Sequence, residues 1–157
     1  MVRAARYAYV ALAWAFVAGV LLQVFFIGLG IFNGSEYRQL HADFGWSILH
    51  LAPLLILVAA AASRAGRTRI GQAAALAITV WIVPILAAVR NDLPVAAAFH
   101  PLGALLAFWL ATVVARGATS LIGSNETDDP TTRGEWVAVA VGVVILLFLS
   151  FSGSPEA

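Results

Sequence analysis

From Ala8 to Phe32 the chain runs without a single charged side chain, and about 20 such residues suffice to cross a hydrocarbon layer about 30 Å thick. Further long apolar stretches run from about Tyr37 or Leu40 to Ala62, interrupted by Asp43 and, at its start, by Arg38, and, free of charge, from Gly71 to Val89, from Pro94 to about Ala115 and from Trp136 to Phe151. Inside lipid no water can satisfy a backbone N–H or C=O, so stretches of this kind are helices. Composition agrees: 62% of the residues are hydrophobic and 11% charged, against about 45–50% and about 25% in soluble domains. The fold class expected is all-α, an integral membrane four-helix antiparallel bundle with a fifth transmembrane helix.

The connections give the organisation. Asn33-Gly34-Ser35 is a turn signal with Ser35 as a helix cap, Ser63 to Arg69 is a basic connection, and Pro94 suits the first turn of helix four. Pro101 should kink that helix. Gly117 to Glu135 reads as a polar cytoplasmic loop centred on Asn125–Pro130, dividing the chain into a bundle (1–116), a loop (117–135) and a fifth helix with a short outer tail (136–157). All nine cations are arginines: seven fall before helix one, between helices two and three and between helices four and five, leaving Arg38 and Arg90 on the other side. The excess of arginine on cytoplasmic loops puts the N-terminus inside and all three histidines toward the outer face.

A net charge of +1 gives no footing for nucleic acid. Without cysteine there is no disulfide, thiolate metal site or covalent haem attachment, and Met1 is the only methionine, so histidine and carboxylate are the available metal ligands. An ionisable group within a membrane helix is costly and marks a site. On a helix drawn at 100° per residue, His41 shares a lane with Gly45, while Asp43, Ser47 and His50 occupy the opposite one. His100 heads a lane of Ala104, Ala107 and Ala111, and helix one carries Gln23 between Gly19 and Gly30. Two histidines on parallel helices, each beside small residues, suit haem b held by two neutral imidazoles, with Arg38 and Arg90 available to its propionates. Small-residue lanes also serve plain helix packing, so a cofactor-free accessory or scaffold subunit, contacting partner subunits through helix five, is the competing expectation. The Asp43, Ser47 and His50 stripe invites a proton or quinone role, and His41, His100 and Asp43 could hold zinc. Three side chains stacked along one helix do not make a catalytic triad. Trp46 and Trp136 suit the membrane interfaces, Trp14, Trp81 and Trp109 packing.

Leu22-Gln23-Val-Phe-Phe-Ile-Gly28-Leu-Gly30, Leu40-His41-Ala-Asp-Phe-Gly45, Gln72 early in helix three and Phe99-His100-Pro-Leu-Gly resemble a family of small prokaryotic four-helix membrane proteins of unknown function. More distantly, residues 7–116 are similar to one half of haem A synthase. That resemblance implies a multi-pass plasma-membrane protein with His41 and His100 as axial haem ligands, and gives His50 no part. Haem A synthase carries Glu-x-x-His-Arg on its second helix, where this chain has Arg38 three residues before His41 and Ala42 after it. Depth counts the other way: at 1.5 Å rise per residue His41 would lie about 15 Å shallower than His100, with His50 nearly level with it. The resemblance and the Gly45 lane favour His41; depth favours His50. The function expected is electron transfer by a b-type haem protein, alone or within a respiratory assembly, with a haem-processing enzyme as a further possibility.

Overall fold

The structure is a computed structural model describing residues 1–123 and 132–152, so the centre of the expected loop, Asn125–Pro130, and the outer tail lie outside the described residues. Helix α1 covers Val2–Phe32. Helix α2 (Glu36–Phe44) passes through a π turn at Gly45–Leu49 into α3 (Ala52–Ala62). Helix α4 (Gly66–Ala88) ends in a 3₁₀ turn at Val89–Asn91; α5 (Pro94–Ala97) leads into α6 (His100–Gly123), and α7 covers Arg133–Ser152. Four segments, Val2–Phe32, Glu36–Ala62, Gly66–Asn91 and Pro94–Gly123, are long and apolar enough to cross a membrane, and α7 adds an apolar helix of 20 residues.

Each of these four spans packs on two others: α1 on α2–α3 and on α6, α4 on α3 and on α6. One end is closed by arginines that find helix termini. Arg6 donates from Nε to the Ser63 carbonyl (3.4 Å) and from Nη1 to that of Leu121 (3.1 Å), joining the start of α1 to the ends of α3 and α6. Arg69 reaches Ser120 Oγ at 3.3 Å. The packing here uses small residues, Ala13, Ala60, Ala61, Ala73, Ala115 and Ala118, each no more than 1% exposed, because alanine lets helix backbones approach closely where lipid removes most of the hydrophobic drive. The end of α3 is a Schellman turn: Ala65 N–H donates to Ala60 O and Arg64 N–H to Ala61 O, both at 3.1 Å, with Arg64 at φ 56° where glycine is usual.

Three boundaries differ from the sequence reading. Helix four does not stop near Ala115: α6 continues to Gly123, because Thr119 and Ser120 turn their hydroxyls back onto the Ala115 and Gly117 carbonyls (2.8 Å each) instead of competing with the helix. Pro101 does not kink a helix interior. It stands second in α6, where its missing N–H leaves no helical bond unmade. The expected loop also ends early, in a capping box at the start of α7: Thr132 N–H donates to Glu135 Oε2 (2.7 Å) and Glu135 N–H to Thr132 Oγ1 (3.2 Å). Arg67 at the start of α4 pairs with Glu135 at 2.6 Å, and α7 lies along α3.

Candidate functional site

The end of the molecule away from the arginine cluster opens into a cavity of about 580 Å³ whose wall includes all three histidines. That volume falls in the range of about 300–1,000 Å³ usual for small-molecule and cofactor sites. Apart from the imidazoles and the Gln23 amide, the lining is aliphatic or aromatic, with Gly45, Ala104 and Ala107 among it.

His41 and His50 share this cavity because the second span is not a uniform α-helix. Pro53 brings no N–H to the Leu49 carbonyl and its ring crowds that turn; the chain answers with a π turn, in which His50 N–H donates to Gly45 O at 2.8 Å. A π turn closes over five residues and winds less per residue, so the opposition of the two rings expected from 100° spacing is lost. The same change breaks the expected stripe. Asp43 and Ser47 are exposed and neither lines the cavity, whereas His50 is 4% exposed. Asp43 accepts instead from Gln39 Nε2 at 2.8 Å.

Two of the histidines are held alike. His41 Nδ1 lies 3.0 Å from the Gln23 carbonyl on α1, and His100 Nδ1 lies 2.8 Å from the Val83 carbonyl on α4. A carbonyl oxygen only accepts, so each Nδ1 carries the hydrogen and donates it, and the lone pair of the neutral ring sits on Nε2. A glycine on the second helix of each pair makes room for the contact. A Cβ on Gly45 would collide with the Gln23 amide, and one on Gly103 would come within 2.9 Å of Val83 Cγ2. Spans one and two, and spans three and four, thus repeat one device: a histidine bonded to the preceding span 18 or 17 residues back, with a close glycine beside it. Sequence identity does not betray this repeat, because its partners are main-chain carbonyls that any residue supplies.

His50 is set differently, between the rings of Trp46 (4.7 Å between centroids) and Trp81 (5.4 Å). Trp81 is therefore part of the cavity wall as well as a packing group. Gln23 Oε1 is buried and has no hydrogen-bond partner among the described residues.

Among the residues expected to form a site, His41, His50, His100, Gly45 and Ala104 line the cavity, and Arg38 and Arg90 do not. Arg38 donates to the Gly30 carbonyl near the end of α1 (3.2 Å) and Arg90 to Ala87 O within its own span (3.5 Å), as cations near helix C-termini commonly do. The zinc expectation also fails: Asp43 is turned away, and no group of three or more histidine, aspartate or glutamate residues fit to hold a metal ion occurs among the described residues.

One family matches part of the chain. The model of a family of unknown function (DUF6220) covers residues 23–89, from Gln23 through His41, His50 and Val83, and stops before His100. No curated protein and no solved structure matches the chain, and no comparison links it to haem A synthase.

Proposed function

We propose that this chain is a four-helix membrane bundle with a cytoplasmic N-terminus that binds one b-type haem between His41 and His100 and passes electrons between a membrane quinol and an acceptor at the outer face, alone or within a larger respiratory assembly. The observation carrying this reading is the matched pair of buttressed imidazoles on one apolar cavity. Metal-bound histidines commonly donate their second ring N–H to a carbonyl or carboxylate, which fixes the tautomer and raises the basicity of the ligating nitrogen. His41 and His100 carry that bond before any metal is considered. The donor set is neutral, as ferrous and ferric haem accept, and the small side chains of Ala104 and Ala107 on the cavity wall leave room for a flat macrocycle.

Haem, when bound, supplies a one-electron couple. The protein's own part is to hold the ring nitrogens in place through the Gln23 and Val83 carbonyls and to keep water from the iron with an apolar wall. Pairing of His100 with His41 rather than His50 is supported by the shared carbonyl contact; His50 packs at a tilt against Trp46 and Trp81. The subunit form of this proposal draws on α7, where Val141, Val144 and Ile145 are exposed and available to lipid or to a partner helix.

Single variants test the assignment in protein purified from haem-replete cells. His41→Ala and His100→Ala should each lose the low-spin spectrum, and His50→Ala should keep it. Loss in His50→Ala with retention in His41→Ala would reverse the pairing.

A further inference from the structure

All residues lining the cavity belong to the four spans; none comes from the 33–35 turn or from residues 89–99 at that end of the molecule. Its wall is nevertheless incomplete on one side. Helix α2 is tied to α1 by the His41 and Arg38 bonds and by an edge-to-face contact of Phe44 with Phe26 at 5.6 Å, and α6 is tied to α4 by His100. Span two follows α4 through α3 and, at the π turn, through the contact of His50 with Trp81; α2 itself is not held to α4 in this way. Between α2 and the last turns of α4, lining residues are also exposed: Ala42 and Trp46 on one side, Ile85 and Ala88 on the other. All four are apolar and lie within segments apolar enough to cross a membrane, so the opening is on the side of the bundle, close to the exposed polar groups of Gln39, Asp43 and Arg90.

We infer that the cavity is entered sideways from the lipid, through a doorway between α2 and the C-terminal end of α4, and that its occupant is a membrane-dissolved molecule. For haem, the ligand of the reading above on which this inference builds, loading then proceeds from the outer leaflet by lateral diffusion. The doorway jambs are small at Ala42 and Ala88, and a large side chain there would close the gap without touching His41 Nδ1, His100 Nδ1 or their carbonyls.

The chain has no cysteine, so Ala104→Cys places a single thiol on the cavity wall of the full-length protein in liposomes. Pyrene maleimide dissolved in the bilayer should label it at least tenfold faster than a charged maleimide sulfonate supplied in water. Ala88→Trp or Ala42→Trp should slow both that labelling and haem uptake from haem-loaded vesicles by at least tenfold, while Leu105→Trp, on an exposed face of α6 outside the cavity, should change neither. Faster labelling by the charged reagent, or unaltered rates in both doorway variants, would overturn the inference. Labelling does not depend on haem: a doorway confirmed by maleimide in a protein that takes up no haem would sink the haem reading alone.

Discussion

Replacing Gly103 by alanine gives a sharp test of how closely spans three and four are packed beside His100. The added Cβ would stand 2.9 Å from Val83 Cγ2, well inside the about 3.5–4.0 Å at which carbon atoms pack, and a valine has little χ1 freedom with which to yield. Overpacking of this kind costs about 1–3 kcal/mol. Set against it is the helix propensity of alanine over glycine, about 0.8–1.0 kcal/mol. Gly71→Ala supplies the control, since nothing lies within 4 Å of a Cβ there and only the propensity gain should appear. Subtracting one variant from the other removes propensity, leaving Gly103→Ala about 1–3 kcal/mol less stable than Gly71→Ala. Reversible unfolding by SDS in mixed micelles, followed by far-ultraviolet circular dichroism, measures the difference. Val83→Ala should restore most of the loss in the double variant. A Gly103→Ala protein as stable as Gly71→Ala would refute the close approach and with it the reason for a glycine beside His100.

Other substitutions probe other parts of the account. Arg64→Gly should stabilise the protein by about 1 kcal/mol in the same unfolding assay, because Arg64 occupies the left-handed position of a Schellman turn where a Cβ is unfavourable. Gln23→Leu should stabilise the haem-free protein by about 1–3 kcal/mol, the range for relieving a buried acceptor that lacks a donor; an unchanged midpoint would contradict the placement of Oε1. The Glu135 carboxyl, ahead of the apolar run of α7, is held below its usual range by the Thr132 N–H and then by Arg67. Its contribution is therefore present above the ordinary glutamate value of about 4.3 and disappears as pH falls through the lower folded-state value. Fluorescence of Trp136 should report α7 loosening in that acid range, and Glu135→Gln should remove the pH dependence.

Much of the fold could be read from the chain because helices long and apolar enough to cross a membrane declare themselves by length and hydropathy, and arginines such as Arg6 and Arg69 mark the end at which they gather. The π turn could not. Gly45 opens it and Pro53 follows it, yet nothing in the spacing of apolar residues signals a local change of period, and a uniform 100° plot sets His41 against His50. The polar appearance of Gly117 to Gly123 misled for a related reason: Thr119 and Ser120 satisfy themselves on the helix they seem to end. Of the site, the histidines and their small neighbours were visible as residue types. Their buttresses, the Gln23 and Val83 carbonyls, were not, since main-chain atoms leave no trace in composition. Only the expected side of the membrane links Arg38 and Arg90 to haem propionates, and main-chain carbonyls near helix ends hold both.

The central claim is that two buttressed imidazoles bind haem, and an absorption spectrum of the detergent-purified protein from haem-replete cells tests it most directly. The account predicts a Soret band and, on reduction, sharp α and β bands of a six-coordinate low-spin haem at one per chain. A colourless protein, or a high-spin spectrum unchanged by His41→Ala and His100→Ala, would contradict it.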